Sequence, residues 1–357
     1  MEKVYKILAI NPGSTSTKIG VFENTTLIFD KTLRHSAEEI GQFKKVPDQF
    51  EFRMNLILEA LEEAGVKKED LDAVVGRGGL LKPIKSGTYT INQDMIDTVN
   101  NGVYGYHAAN LACVLAKSIA EEVGIPSFIV DPAVIDEMQP VAKITGIPEI
   151  ERQCRWHALN QRAIGRKAAA DMGKKYEDCN FVILHMGGGI AVGAHKKGVA
   201  IDVTNALDGE GPFTPERSGG IPTGDLMRMC LSGKYTNEEL GKKINGKGGL
   251  SAYLGTNNII EIEQRIKDGD EYAKLIHSAM VYQICKEIGA YSTVLKGDID
   301  AIIITGGIAY SELIVSMIKE SVGFIAPVKV YPGEDELEAL AGGALRVLNG
   351  EEEARTY

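Results

Sequence analysis

No run of about 18 apolar residues occurs in the 357-residue chain, so no membrane-crossing helix is expected. Cysteine is scarce. Cys113, Cys154, Cys179, Cys230 and Cys285 are scattered, odd in number and contain no C-x-x-C. That pattern argues against a disulfide framework or a metal site and for buried, reduced thiols in a cytoplasmic protein. The chain enters an apolar strand directly after Met1-Glu2-Lys3, without a signal-peptide pattern. Positive charge is also short. Lys and Arg number 39 against 49 Asp and Glu, a net charge of −10, which opposes general affinity for nucleic acid or anionic membrane. A local basic pocket for an anionic ligand remains compatible with it. Several motifs are missing too: G-x-x-x-x-G-K-[ST], G-x-G-x-x-G opening a helix, G-x-S-x-G and H-E-x-x-H. Their absence counts against P-loop, Rossmann, α/β-hydrolase and zincin readings.

Glycine is plentiful: 40 glycines stand against 12 prolines. They form short knots between apolar runs, as tight loops lining a site would. The length exceeds a single typical core and suggests about two domains. The first knot lies in Lys6-Ile7-Leu8-Ala9-Ile10-Asn11-Pro12-Gly13-Ser14-Thr15-Ser16-Thr17-Lys18-Ile19-Gly20-Val21-Phe22. Two apolar runs flank a small, hydroxylated turn, which reads as a β-hairpin. Its tip could donate hydrogen bonds to a phosphate chain and offer Lys18 as a point charge. An ordinary hairpin with a polar tip is the alternative.

After a third strand at 26–34, Phe50 to Ala64 has helical periodicity and Gly65 closes it. Strand 71–75, helix 106–123 and strand 127–130 follow. The second half repeats this order. Asn180–His185, a Gly187-Gly188-Gly189 turn and Ile190–Ala194 match the opening hairpin. Helix 271–295, strand 299–305 ending in Gly306-Gly307, helix 311–322 and strand 328–331 complete the parallel. The reading is α/β, with two similar domains of mixed five-stranded sheet and a nucleotide cleft between them. The expected division is 1–150 plus the C-terminal helix 337–357, and 151–336 with an insertion near 206–269.

Five clusters fall at strand ends: Asn11–Lys18, Arg77–Gly79, Asp131, His185–Gly189 and Gly306–Ile308. Ligand sites in open α/β sheets gather there. Asp131, and Glu336 beyond the equivalent second-half strand, could together hold Mg²⁺ from opposite domains. A helix cap or solvated turn is the alternative for each, and Glu334 and Asp335 compete with Glu336. Arg77 and Arg217 lie in loops without apolar period, where a guanidinium can grip a carboxylate or phosphate with two parallel hydrogen bonds. His157 and His185 are more often structural than catalytic when taken alone.

Six motifs in this order resemble the acetokinase family of carboxylate kinases, within the acetate kinase, sugar kinase, Hsp70 and actin superfamily. They are Ile10–Lys18, Val75–Gly79, Val130–Ala133, Leu184–Gly189, Arg217–Gly219 and Thr305–Ile308. Pro12 and the triple glycine are as in the butyrate kinase branch. The resemblance implies a duplicated RNase H-like (actin-like ATPase) fold with a homodimer or higher homo-oligomer, ATP and Mg²⁺ as cofactors, and a short-chain carboxylate substrate. It implies direct in-line transfer of the ATP γ-phosphoryl to butyrate or a branched acid, giving the acyl phosphate. Acetate kinase, or a non-catalytic nucleotide-binding sensor, are the alternatives. It further implies that Asn11, Ser14, Ser16 and Lys18 contact phosphates, and that Asp131 and Glu336 are the metal acids. Arg77 and Arg217 would clamp the carboxylate and the transferring phosphoryl, with His157 stabilising that group. His185, Gly187, Gly188 and Gly189 would hold nucleotide phosphates, and Gly306, Gly307 and Ile308 would line the adenine side. One departure stands out. Where the family carries an Asp and, two residues on, an Arg near the nucleoside, this chain has Asn258 and Ile260.

Overall fold

A computed structural model describes residues 3–357. The chain begins β1 (Lys6–Pro12), β2 (Ser16–Glu23), β3 (Thr26–Arg34), α1 (Ala37–Gly41), α2 (Phe50–Glu63), β4 (Ala73–Gly76), β5 (Thr88–Thr90), α3 (Gln93–Asn100), α4 (Asn110–Val123) and β6 (Ser127–Val130). It continues through α5 (Pro140–Lys143), α6 (Ala158–Asp171), β7 (Asn180–Met186), β8 (Ile190–Lys196) and β9 (Val199–Val203). Helices α7 (Thr223–Leu231), α8 (Asn237–Ile244), α9 (Gly249–Leu254) and α10 (Ile259–Lys267) fill the insertion. Then come α11 (Glu271–Val294), β10 (Ala301–Gly306), α12 (Glu312–Val322), β11 (Val328–Pro332), α13 (Glu336–Leu348) and β12 (Arg355–Thr356).

These elements form two compact units. The first runs to Asp136 and includes Asp335–Tyr357; the second is Glu137–Glu334. The boundary thus falls at 136/137 and not at 150/151. Hydrogen bonding explains the shift: Gln139 N–H donates to the Ile201 carbonyl in β9 at 2.9 Å. Glu336 lies at the start of α13 and belongs to the first unit, so it shares a unit with Asp131.

The first sheet has the order β12-β5-β6-β4-β1-β2-β3, the second β11-β10-β7-β8-β9. The run β6-β4-β1-β2-β3 matches β11-β10-β7-β8-β9 in order and direction, with two parallel pairs followed by two antiparallel ones. The first sheet exceeds five strands because β5 and β12 extend its edge. Both are too short to show a period in sequence. The central strands are legible for the opposite reason. Ile7–Ile10 and Phe181–Leu184 are fully buried, so each reads as a continuous apolar run.

Helix α4 starts at Asn110, later than Tyr106. The buried Asn110 side chain accepts from Leu80 N–H at 2.9 Å and donates to the Gly105 carbonyl at 3.0 Å, which ties down the preceding loop. Among the thiols, Cys113, Cys154 and Cys179 are buried, whereas Cys285 is partly buried and Cys230 exposed. All five are free. No helix among the described residues is long and apolar enough to cross a membrane.

Candidate active site

The first unit gathers its candidates at the carboxyl ends of β1, β4 and β6. The β1–β2 hairpin pairs Asn11 with Lys18 and Pro12 with Thr17, and Gly13 N–H closes the turn on the Ser16 carbonyl at 2.7 Å. Opposed residues and residues two apart share a face, so Asn11, Ser16 and Lys18 lie on one side of the ribbon and Thr17 on the other. Thr17 is buried, while Ser14 and Lys18 are exposed. Asn11 Nδ2 donates to Glu336 Oε2, and Arg77 Nη1 pairs with Glu336 Oε1. Arg77 itself follows β4, where its N–H donates to the Ile10 carbonyl at 3.1 Å.

Only one nitrogen of the Arg77 guanidinium is used in this way. Its Nε and Nη2 have no protein hydrogen bond among the described residues. That free edge is the one a carboxylate would grip bidentately. Glu336 therefore orients Arg77 and leaves its Nε–Nη2 edge open.

Asp131 ends β6. It is 1% exposed, and its Oδ1 accepts from Gly87 N–H at 2.8 Å. Its φ of +39° is rare for a side-chain-bearing residue and, for Asp, is tolerated at modest cost. Such strain concentrates at functional sites.

No group of three or more His, Cys, Asp or Glu able to hold a metal exists among the described residues. Mg²⁺ does not require one, because one or two carboxylates joined by phosphate oxygens and water suffice. Asp131 fits that mode. Glu336 has both oxygens engaged by Asn11 and Arg77, so only its remaining lone pairs could reach a metal.

The second unit builds its cluster around Gly187-Gly188-Gly189, between β7 and β8. A Cβ on Gly187 would lie 3.1 Å from Glu334 Oε1 and 3.5 Å from His185 Nε2. One on Gly188 would lie 3.2 Å from Glu216 Oε1. One on Gly189 would collide with Arg217 Nη1 and lie 3.4 Å from His157 Cε1. The glycines are thus ringed by His185, Glu334, Glu216, Arg217 and His157, each close enough that a side chain at these positions would crowd it. Thr214 Oγ1 donates to the Gly188 carbonyl at 2.7 Å and fixes the turn.

Arg217 donates through Nη1 to the Ala206 carbonyl at 2.7 Å and through Nε to Asn245 Oδ1 at 3.0 Å. Its Nη2 has no protein partner, and no carboxylate forms an ion pair with it among the described residues. Burial pushes its pKa down while Glu216 pulls it up.

His185 is 1% exposed and stacks on His157, with ring centroids 3.8 Å apart. Its Nδ1 meets Asn160 Oδ1 at 2.8 Å, and its Nε2 lies 3.1 Å from Glu334 Oε1. The Asn160 contact fixes the orientation of the His185 ring, with Nε2 turned toward Glu334.

Helix α6, which starts just after His157, is anchored by a buried chain. Tyr176 OH meets His195 Nδ1 at 2.6 Å, His195 Nε2 meets Gln161 Oε1 at 2.9 Å, and Gln161 Nε2 donates to the Ala191 carbonyl at 3.2 Å. Burial, reinforced by Arg162, pushes His195 down to about 3. Between that value and 6.5 the unfolded chain binds more protons at this site than the folded one, so stability falls as pH drops below 6.5. Moving from pH 7 to pH 5 is expected to cost on the order of 2 kcal/mol. Urea midpoints at the two values check this, and equal midpoints would contradict it.

The adenine-side candidates divide. Gly306 has φ +92°, and a Cβ there would collide with the Met186 backbone. It allows β10 to pass closely beside the end of β7. Gly307 is exposed, but Ile308 is buried in the core of the unit. Ile308 can therefore offer a ligand little beyond its backbone. Asn258 caps α10, accepting from Ile260 N–H at 3.0 Å, and the Ile260 side chain is 80% exposed.

Several neighbours carry no motif that marks them in the sequence: Arg53, His107, Asn160, Glu216 and Glu334 in its contact with His185. The His107 pKa is lowered by desolvation and by the Arg77 charge, which places it in the field of that guanidinium. A histidine in the loop just before α4 was the available signal for it.

This duplicated sheet, with a turn of small residues after the first strand of each unit, is the α/β fold of two similar units expected from the sequence. Solved structures bear this out. Acetate kinase from Porphyromonas gingivalis matches with a TM-score of 0.76, at 20% identity, over 96% of this chain and 100% of that one. A propionate kinase from Francisella tularensis matches at 0.72, with 18% identity, over 95% and 98%. Residues 148–326 match the model of the acetokinase family. Butyrate kinase 1 of Clostridium acetobutylicum is 56% identical over 354 residues, 99% of this chain and 100% of that protein. The chain belongs to the acetokinase family.

Proposed function

We propose that this chain is an ATP-dependent butyrate kinase. It transfers the γ-phosphoryl of ATP reversibly to butyrate or a branched short-chain acid, giving the acyl phosphate and ADP. The observation that carries the reading is the 56% identity with Butyrate kinase 1 across 99% of the chain. The chemistry of the two clusters supports it.

A carboxylate is ionised at pH 7 and is itself the nucleophile, so no general base is needed. Its oxygen forms the new bond to the γ-phosphorus as the bond to the β-phosphate oxygen breaks, and the electron pair leaves with ADP. The main obstacle is repulsion between two anions. The open Nε and Nη2 edge of Arg77 holds the carboxylate. Asn11, Ser14, Ser16 and Lys18 contact phosphate oxygens. The triple glycine with His185 holds nucleotide phosphates, and Arg217 and His157 take the charge of the transferring group. Mg²⁺, when bound, neutralises the phosphate oxygens, with Asp131 as its principal protein ligand and Glu336 as the weaker candidate. Alignment and charge neutralisation are most of what phosphoryl transfer asks of a protein.

Trapping of the acyl phosphate by hydroxylamine tests the reading. Enzyme, Mg-ATP and butyrate are expected to yield butyryl hydroxamate. An equal or better yield from acetate would favour the acetate kinase alternative.

A further inference from the structure

Beneath the phosphate-contacting hairpin lies a charge that the mechanism above does not use. Arg53, on α2, is 0% exposed and is among the largest fully buried side chains. Its Nη1 donates to the Gly13 carbonyl at 2.9 Å, the Ser16 carbonyl at 3.2 Å and Thr17 Oγ1 at 2.9 Å. Its Nη2 reaches Gln49 Oε1 at 2.9 Å and the Ser14 carbonyl at 3.5 Å, and Nε donates to Gln49 Oε1 at 3.1 Å. No carboxylate forms an ion pair with it among the described residues.

Burial pushes Arg53 down to about 10, which leaves it charged at neutral pH. A buried charge ordinarily needs an opposite partner. Here it has only carbonyl, amide and hydroxyl oxygens. Part of its positive potential therefore remains uncompensated under the hairpin.

The carbonyl contacts have a second effect. In a trans peptide the N–H points opposite to the C=O, and no cis peptide bond occurs among the described residues. Drawing the Gly13 and Ser14 carbonyls toward Arg53 therefore turns the Ser14 and Thr15 N–H groups away from it. Those two N–H groups have no protein acceptor among the described residues, and both residues are exposed. Successive outward N–H groups over a positive charge make an anion-binding nest. His35, which meets Thr17 Oγ1 at 2.9 Å, does not offset the charge. Desolvation first, and Arg53 second, lower its pKa, so it stays neutral.

We infer that Arg53 is the positioning residue of the hairpin: it turns the Ser14 and Thr15 N–H groups outward and sets an unpaired cation behind them for the nucleotide's phosphate chain. The inference rests on the kinase reading above. Its test is the affinity of the full chain for ATP and for AMP, measured by calorimetry in wild type, Arg53→Met and Arg53→Lys, with thermal melts alongside. Arg53→Met is expected to lose ATP affinity by about tenfold or more, with AMP affinity held within about twofold. Arg53→Lys keeps the charge without the planar fork and is expected to fall between. A merely structural role would lower the folded fraction and scale both ligands together. Equal loss for ATP and AMP, or no loss for ATP, would overturn the inference. Should Arg53→Met fail to melt cooperatively, the ATP-to-AMP ratio of Arg53→Lys decides by the same criterion. A wild-type chain that bound no ATP would overturn the kinase reading and this inference with it, a result distinct from one confined to the variants.

Discussion

Replacing Arg77 with alanine is expected to slow acyl phosphate formation by about 10³-fold or more while the protein stays folded. Arg77 is half-buried and its guanidinium meets the protein at one nitrogen, through the Glu336 carboxylate. Its removal therefore deletes few packing contacts. It does delete the open guanidinium edge beside Glu336 and Asn11, which can grip a carboxylate with two parallel hydrogen bonds. The loss should fall on the step that brings two anions together, so kcat drops along with the affinity for butyrate. Arg77→Lys is not a conservative change, because an ammonium cannot reproduce the fork. It is expected to lose most of the activity as well. Initial hydroxamate rates, with melting curves to establish folding, check both variants. Full activity in Arg77→Ala would mean that the carboxylate binds elsewhere.

Asp131→Asn is the second large effect, expected to lower activity on the order of 10²- to 10³-fold. The substitution keeps the shape. Asn tolerates a positive φ such as the +39° seen here, and its amide oxygen can still accept from Gly87 N–H. What disappears is the negative charge. If that charge holds Mg²⁺, the Mg²⁺ concentration for half-maximal rate should rise together with the loss of activity. Rates measured across a Mg²⁺ titration separate this from simple damage, which would lower the plateau without moving the midpoint. An unchanged midpoint and plateau would remove Asp131 from the metal site.

The sequence made the architecture legible where strands are buried on both faces and end in small residues. β1, β7 and β10 read as apolar runs stopped by Asn11, the triple glycine and Gly306-Gly307. The short strands β5 and β12 did not, because a few residues carry no period. The site was legible as residue types at strand ends, and its wiring was not. Three adjacent acids, Glu334, Asp335 and Glu336, could not be told apart in sequence. The structure separates them: Glu334 sits beside His185, and Glu336 opens α13 next to Arg77 and Asn11. Arg53 did leave a signal, since it lies one helical turn before Ile57 on the buried face of α2. A charged residue on a buried stripe has an unstated partner, and only the fold reveals that the partner is the hairpin. Asn160 and Gln161 gave no warning at all, because each acts by orienting a histidine brought near by a different strand. Ile308 went the other way: its place beside two strand-end glycines suggested a ligand contact, and its side chain is in the core.

The most direct test of the central claim is a comparison of kcat/KM for butyrate, isobutyrate and acetate, with Mg-ATP as donor and hydroxamate as the readout. Each methylene lost from a fitted acyl pocket is worth about 1–3 kcal/mol of discrimination. Robust turnover of butyrate or isobutyrate is expected and, for acetate two methylenes shorter, a kcat/KM lower by about 10²-fold or more. Hydroxamate from none of the three acids, under conditions where the chain binds ATP, would contradict it.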